Sequence, residues 1–167
     1  SVPLKNSPDE VPKVLLTGEI FVRRDDFSRQ FLTDKLASEG FATICSSVSE
    51  WMYYTRYLVN SSLSEEVSST IGQLKSRFVQ MQMVRIEKSI RSILARSGLI
   101  SSDTTDVEGI IEAGQHFISH ELKGEAILTI GAAIKEIGHT ACGVIAIGPF
   151  GCMPNRISEA ILNGEMV

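Results

Sequence analysis

Three short apolar runs constrain this chain most: Val14-Leu15-Leu16 within 13–18, Phe41-Ala42-Thr43-Ile44-Cys45, and Val144-Ile145-Ala146-Ile147 within 142–148. None alternates apolar with polar residues, so each suits a strand buried on both faces. The stretches between them carry helical periodicity, which makes the connections crossovers and the strands parallel. The expected fold class is α/β: a Rossmann-like parallel sheet of at least three strands in order 2-1-3, with a helical insertion. That order sets strands one and three side by side, and open α/β sheets bind ligands at the carboxyl ends of such a pair. Three strands are few and the chain begins with Ser1, so a fragment of a longer protein is expected.

The domain reading is a linker over 1–12, which holds three prolines, and a single α/β domain over 13–167. Residues 27–39 place Phe27, Phe31, Leu32 and Leu36 on one helical face, stopped by Gly40. A short helix over 48–59 carries Trp51, Met52, Tyr53, Tyr54 and Tyr57, either as a packing face or as a stacking surface for a flat ligand. The serine-rich 61–69 reads as a linker or a helix entry. Ile71, Leu74, Phe78, Met81, Ile86, Ile90, Ile93 and Leu94 recur at three- and four-residue steps and define a long helix ending at Gly98. Further helices are expected near 105–119, 124–137 and 155–163. The block 61–138 is therefore read as an all-α insertion that packs as a lobe beside the sheet, because a lone helix is marginal in water.

At 167 residues the chain can bury a full core, and its composition is that of an ordinary globular protein. A net charge of −4 argues against nucleic acid as a partner. No apolar run approaches the roughly 20 residues of a membrane helix, so no membrane partner is expected. Cys45, Cys142 and Cys152 make neither a disulfide scaffold nor a C-x-x-C pair. His116 and His120, read as one helical turn apart, are open to a shared metal or to plain solvation. Dinucleotide, P-loop and hydrolase-elbow motifs are missing where they would be needed.

The stretch Gly148-Pro149-Phe150-Gly151-Cys152-Met153-Pro154 is the most informative. Its glycines and prolines set a rigid loop at a strand's carboxyl end, and Pro154 suits a first helical turn. Cys152 then stands just ahead of a helix, where negative charge is favoured, and the thiolate is the form that binds metal or attacks. A tight turn with a small buried cysteine is the equal alternative. Glu19 and Arg23 follow the first strand and could orient an anionic or acyl-thioester ligand, or pair within their own loop. Cys45 ends on the same side as Cys152, whereas Cys142 opens its strand at the opposite end.

Gly18-Glu19-Ile20-Phe21-Val22-Arg23, Gly124-Glu125-Ala126-Ile127-Leu128-Thr129-Ile130-Gly131 and Ile147-Gly148-Pro149-Phe150-Gly151-Cys152-Met153-Pro154 together resemble the 2-hydroxyacyl-CoA dehydratase and CoA-enzyme activase-related family. The likeness is to the region that follows the ATPase domains of large activase-like proteins. It implies a cytoplasmic, anaerobic iron–sulfur system in which a separate ATP-dependent activator donates an electron and an acyl-CoA is the substrate. It further implies Cys152 as a ligand of a [4Fe–4S] cluster in the intact parent, with Glu19, Arg23, Gly148, Pro149 and Gly151 as ligand-binding residues. The family uses about three cysteine ligands, so the remaining domains of the parent would complete the cluster and the fragment alone would hold none. The alternative is a non-catalytic docking or regulatory module in which the Cys152 loop is structural.

Overall fold

A computed structural model describes residues 7–165 apart from 9, 67–69 and 123. The described part of the 1–12 segment forms neither helix nor strand, and its residues 1–6 and 9 lie outside the description. By its internal contacts the chain divides into two units, one of residues 1–48 and 107–167, the other Ser49–Asp106.

The first unit holds the sheet. Strands β1 (Lys13–Gly18), β2 (Ala42–Cys45) and β3 (Gly143–Ile147) form one sheet in the order β2-β1-β3. Both pairings are parallel, with Leu15 opposite Ile44 on one side and Val144 on the other. This is the expected α/β, Rossmann-like arrangement. The central β1 is buried from Val14 to Gly18, while β2 and β3 are only half-buried. Their incomplete burial follows from their place at the sheet's edges.

Helix α1 (Leu32–Ser38) is shorter than the 27–39 span expected. Residues 27–31 run as turns, Gln30 and Phe31 take positive φ, and Phe27 is 81% exposed. Side chains near 25–33 bind the local backbone instead of leaving it to a helix. The Asp25 carboxylate accepts from the Ser28 N–H at 2.7 Å, and Arg29 donates to the Arg23 carbonyl at 2.8 Å. Gly40, with φ +86°, ends α1 as expected.

Three helices complete this unit: α4 (Val107–Gly114), α5 (Ala126–Glu136) and α6 (Met153–Glu165). Every residue of α5 from Ala126 to Ala133 is buried, against α4, α6 and β1. Such all-round burial marks a core helix rather than a surface one. The approach of α4 to α5 is backbone to backbone. A Cβ on Gly131 would stand 1.9 Å from the Ile110 carbonyl oxygen, and one on Gly114 would stand 2.5 Å from that of Ile127. Thus two helices counted in the 61–138 block cluster with the sheet.

The second unit contains α3 (Thr70–Leu94), closed by a 3-10 turn (Ala95–Ser97) and Gly98, together with α2 (Val48–Glu66) from Ser49 onward. Helix α2 runs past the 48–59 span expected and takes in residues 61–66 of the serine-rich stretch; 67–69 lie outside the described residues. The seam between α2 and α3 is polar. Tyr53 donates to Glu87 at 2.7 Å, and Glu87 also accepts from Arg91 at 2.9 Å and from the Thr105 hydroxyl at 2.7 Å. Arg56 donates to the backbone and side chain of Ser76. Trp51 and Tyr54 sit with ring centroids 5.8 Å apart, and Tyr53 and Tyr54 are buried.

Candidate functional site at the carboxyl edge of the sheet

The close approach of β1 to β3 organises the site. Gly18 ends β1 with φ +104°, and a Cβ there would stand 2.0 Å from the Ile147 carbonyl oxygen. Only glycine combines that backbone conformation with that contact. The next residue, Glu19, donates its backbone N–H to the same Ile147 oxygen at 2.8 Å. The loop after β1 is thereby fastened to the start of the 148–152 loop.

Glu19 folds its carboxylate back onto the Val22 N–H at 2.7 Å. The chain turns once more and buries Arg23, which is 4% exposed. Its guanidinium donates to the Gly18 carbonyl at 3.0 Å and to the Ser47 carbonyl at 3.3 Å. Arg24 reaches the Ser46 carbonyl at 2.8 Å, and the Cys45 thiol donates to the Arg23 carbonyl at 3.5 Å. Arg23 therefore straps the carboxyl ends of β1 and β2 together, and Cys45 is held within that strap.

A third charged residue joins Glu19 and Arg23. Burial pushes the Glu125 carboxyl above its ordinary range and the charge of Glu19 adds to this; Arg23 and the Ile20 N–H pull the other way. Glu125 stands immediately before α5, whose N-terminus the crossover brings to the carboxyl edge. Sequence reasoning missed its role. The topological signal was available, since a helix leading into β3 must start where β1 ends.

On the β3 side, Gly148 lies against Asn155; a Cβ would meet that side chain at 2.6 Å. The Pro149 carbonyl accepts from the Cys152 N–H at 3.1 Å, and Gly151 takes φ +85° to close the turn. The Cys152 carbonyl then accepts from the Arg156 N–H at 3.0 Å. Cys152 is thus the capping residue of α6, half-buried, with Pro154 in the first turn. Phe150 projects into solvent with the Arg156 guanidinium 5.3 Å from its ring centre. Beyond the cap lies an apolar cavity of about 260 Å³, lined by Ile118, Leu122, Ala126, Met153, Pro154 and Ile157 among others.

Glu19, Arg23, Gly148, Pro149, Gly151 and Cys152 all fall on the carboxyl edge. Among the described residues, four buried polar atoms at this edge have no hydrogen-bond partner: Thr17 Oγ1, Arg23 Nε, Ser46 Oγ and Asn155 Oδ1. Cys142 is at the other end of β3, exposed, with its N–H on the Lys13 carbonyl at 2.8 Å. His116 and His120 are exposed in the turns after α4, not on a helix. Among the described residues no group of three or more His, Cys, Asp or Glu side chains could hold a metal ion. Cys152 therefore offers one thiolate, and the described residues do not by themselves fit a complete iron–sulfur cluster. No helix of the described residues is long and apolar enough to cross a membrane.

No family model, curated protein or solved structure matches the chain.

Proposed function

We propose that this chain belongs to a 2-hydroxyacyl-CoA dehydratase or activase-related system and contributes Cys152 to an iron–sulfur site completed from outside the described residues. The observation that carries this reading is the position of Cys152. It is the half-buried capping residue of α6 at the carboxyl edge of a 2-1-3 sheet, beside the switch point between β1 and β3. A bound [4Fe–4S] cluster would supply one-electron chemistry to an acyl-CoA.

The chain's own residues do the positioning. Gly148, Pro149 and Gly151 fix the loop, and the first turn of α6 aims its positive end at Cys152. Arg23 ties the carboxyl ends of β1 and β2 to each other through the Gly18 and Ser47 carbonyls. The neighbouring cavity is apolar and suits the acyl part of a thioester rather than its nucleotide. A cytoplasmic setting and an ATP-dependent electron donor go with this reading. The test is the full-length protein prepared without oxygen: iron and sulfide should be present, and Cys152→Ala should lower both together. Full iron occupancy in that variant would make the loop structural and put the docking-module reading ahead.

A further inference from the structure

Asn155 sits in the first turn of α6 and is 5% exposed. Its amide nitrogen donates to Glu159 Oε1 at 2.8 Å, one helical turn further along. A carboxylate only accepts, so this bond fixes which way the amide faces. Nδ2 is on Glu159, and Oδ1 lies back against the turn that carries Cys152. A Cβ on Gly148 would stand 2.9 Å from that oxygen and 2.6 Å from Asn155 Cγ. Among the described residues Oδ1 is buried without a hydrogen-bond partner. Such a group is costly to keep. An apolar side chain would fill the same space without that cost, but it could not be tied to Glu159. A second, weaker arm runs from Glu159 Oε2, which accepts from Arg156 at 2.7 Å, to Phe150, whose ring centre lies 5.3 Å from the Arg156 guanidinium. Arg156 and Phe150 are exposed, so that arm adds little.

We propose that Glu159 is a positioning residue for Cys152: through Asn155 it seats the 148–152 turn on α6, and so sets where the sulfur stands. Cys152 lies between the two parts joined in this way. Its N–H is on the Pro149 carbonyl and its own carbonyl accepts from the Arg156 N–H, so the cysteine follows the turn and the helix together. Glu159 itself touches neither the sulfur nor the loop backbone in any hydrogen bond of the described residues. It acts from the second turn of the helix, outside the residues that the sequence marks for the site. The inference rests on the reading of Cys152 as the working residue of the site, and it is tested without iron.

Iodoacetamide labelling of the 167-residue chain, reduced and with a chelator present, gives a rate for each cysteine by peptide mass spectrometry. A half-buried thiol is labelled through local opening, so the Cys152 rate follows the fraction of time the turn is unseated. Glu159→Leu should speed it about tenfold, the equivalent of one hydrogen bond lost from the seat. Asn155→Ala should do the same, and the double variant should add little, because the two side chains act as one unit. Glu159→Gln keeps an acceptor for Asn155 and should stay within about twofold of the parent. Cys45, half-buried at the end of β2, should keep its rate in every variant, and the exposed Cys142 gives the reagent's own speed. An unchanged Cys152 rate in Glu159→Leu, multiplying effects in the double variant, a Glu159→Gln chain as fast as Glu159→Leu, or equal acceleration of Cys45 would overturn the assignment. The iron content of Cys152→Ala, measured separately, bears on the iron–sulfur reading and not on this one.

Discussion

Burial pushes the carboxyls of two glutamates up, yet their net shifts have opposite signs because their hydrogen-bond partners differ. Burial pushes Glu87 up, but the hydrogen bonds from Thr105, Tyr53 and Arg91 outweigh it and hold the carboxyl below its ordinary 4.5. A depressed folded value contributes stability that is present above pH 4.5 and is lost as pH falls through the folded value. Glu87→Gln should therefore cost about 2 kcal/mol at pH 7, the worth of hydrogen bonds to a charged group. The difference from the parent should shrink below pH 4 in urea titrations. Glu125 has the reverse sign. Its folded value lies above 4.5, so ionisation costs stability as pH rises past the unfolded value, and the full cost is reached above the folded one. Glu125→Gln keeps an acceptor for the Ile20 N–H, so it should raise stability at pH 7 and leave it nearly unchanged at pH 4. Equal effects at both pH values would show that burial of the ionised Glu125 carboxylate costs no stability.

Among elements, the tightest joints are backbone contacts that admit no side chain. Gly131→Ala drives a Cβ into the Ile110 carbonyl and should lower stability by roughly 3 kcal/mol, as overpacking between rigid backbones does. Gly40→Ala has open space around it and keeps only the strain of φ +86°, so about 1 kcal/mol is expected. Thermal melts of the two variants should separate clearly, and equal losses would contradict the α4–α5 contact. The sheet was legible because unalternating apolar runs joined by crossovers leave few arrangements. The cap at Cys152 was legible because Pro154 fits only the first turn of a helix. Helix 27–39 was misread because periodicity registers Phe27 and Phe31 but not the Asp25 and Arg29 side chains that take over the backbone. The membership of α5 in the core was hidden for another reason. Small residues such as Ala132, Ala133 and Gly131 carry little periodic signal, yet they allow burial on every side.

At the scale of the molecule, a unit that carries the candidate site is interrupted in sequence by a unit that does not. Residues 1–48 and 107–167 contain the whole sheet, its buried core and all the site residues. Replacing 49–106 by a flexible glycine–serine linker should leave a chain that unfolds cooperatively and keeps mixed α/β circular dichroism. A non-cooperative melt would mean that the sheet unit depends on the helical one. On the proposed function, the carboxyl edge of this sheet presents Cys152 to an iron–sulfur site. The decisive comparison is iron and sulfide per chain in the anaerobic full-length protein for Cys152→Ala and for Cys142→Ala. Cys152→Ala should lose most of both, while Cys142→Ala, altered at the opposite end of β3, should match the parent. Equal loss in the two variants, or retention in Cys152→Ala, would contradict the assignment.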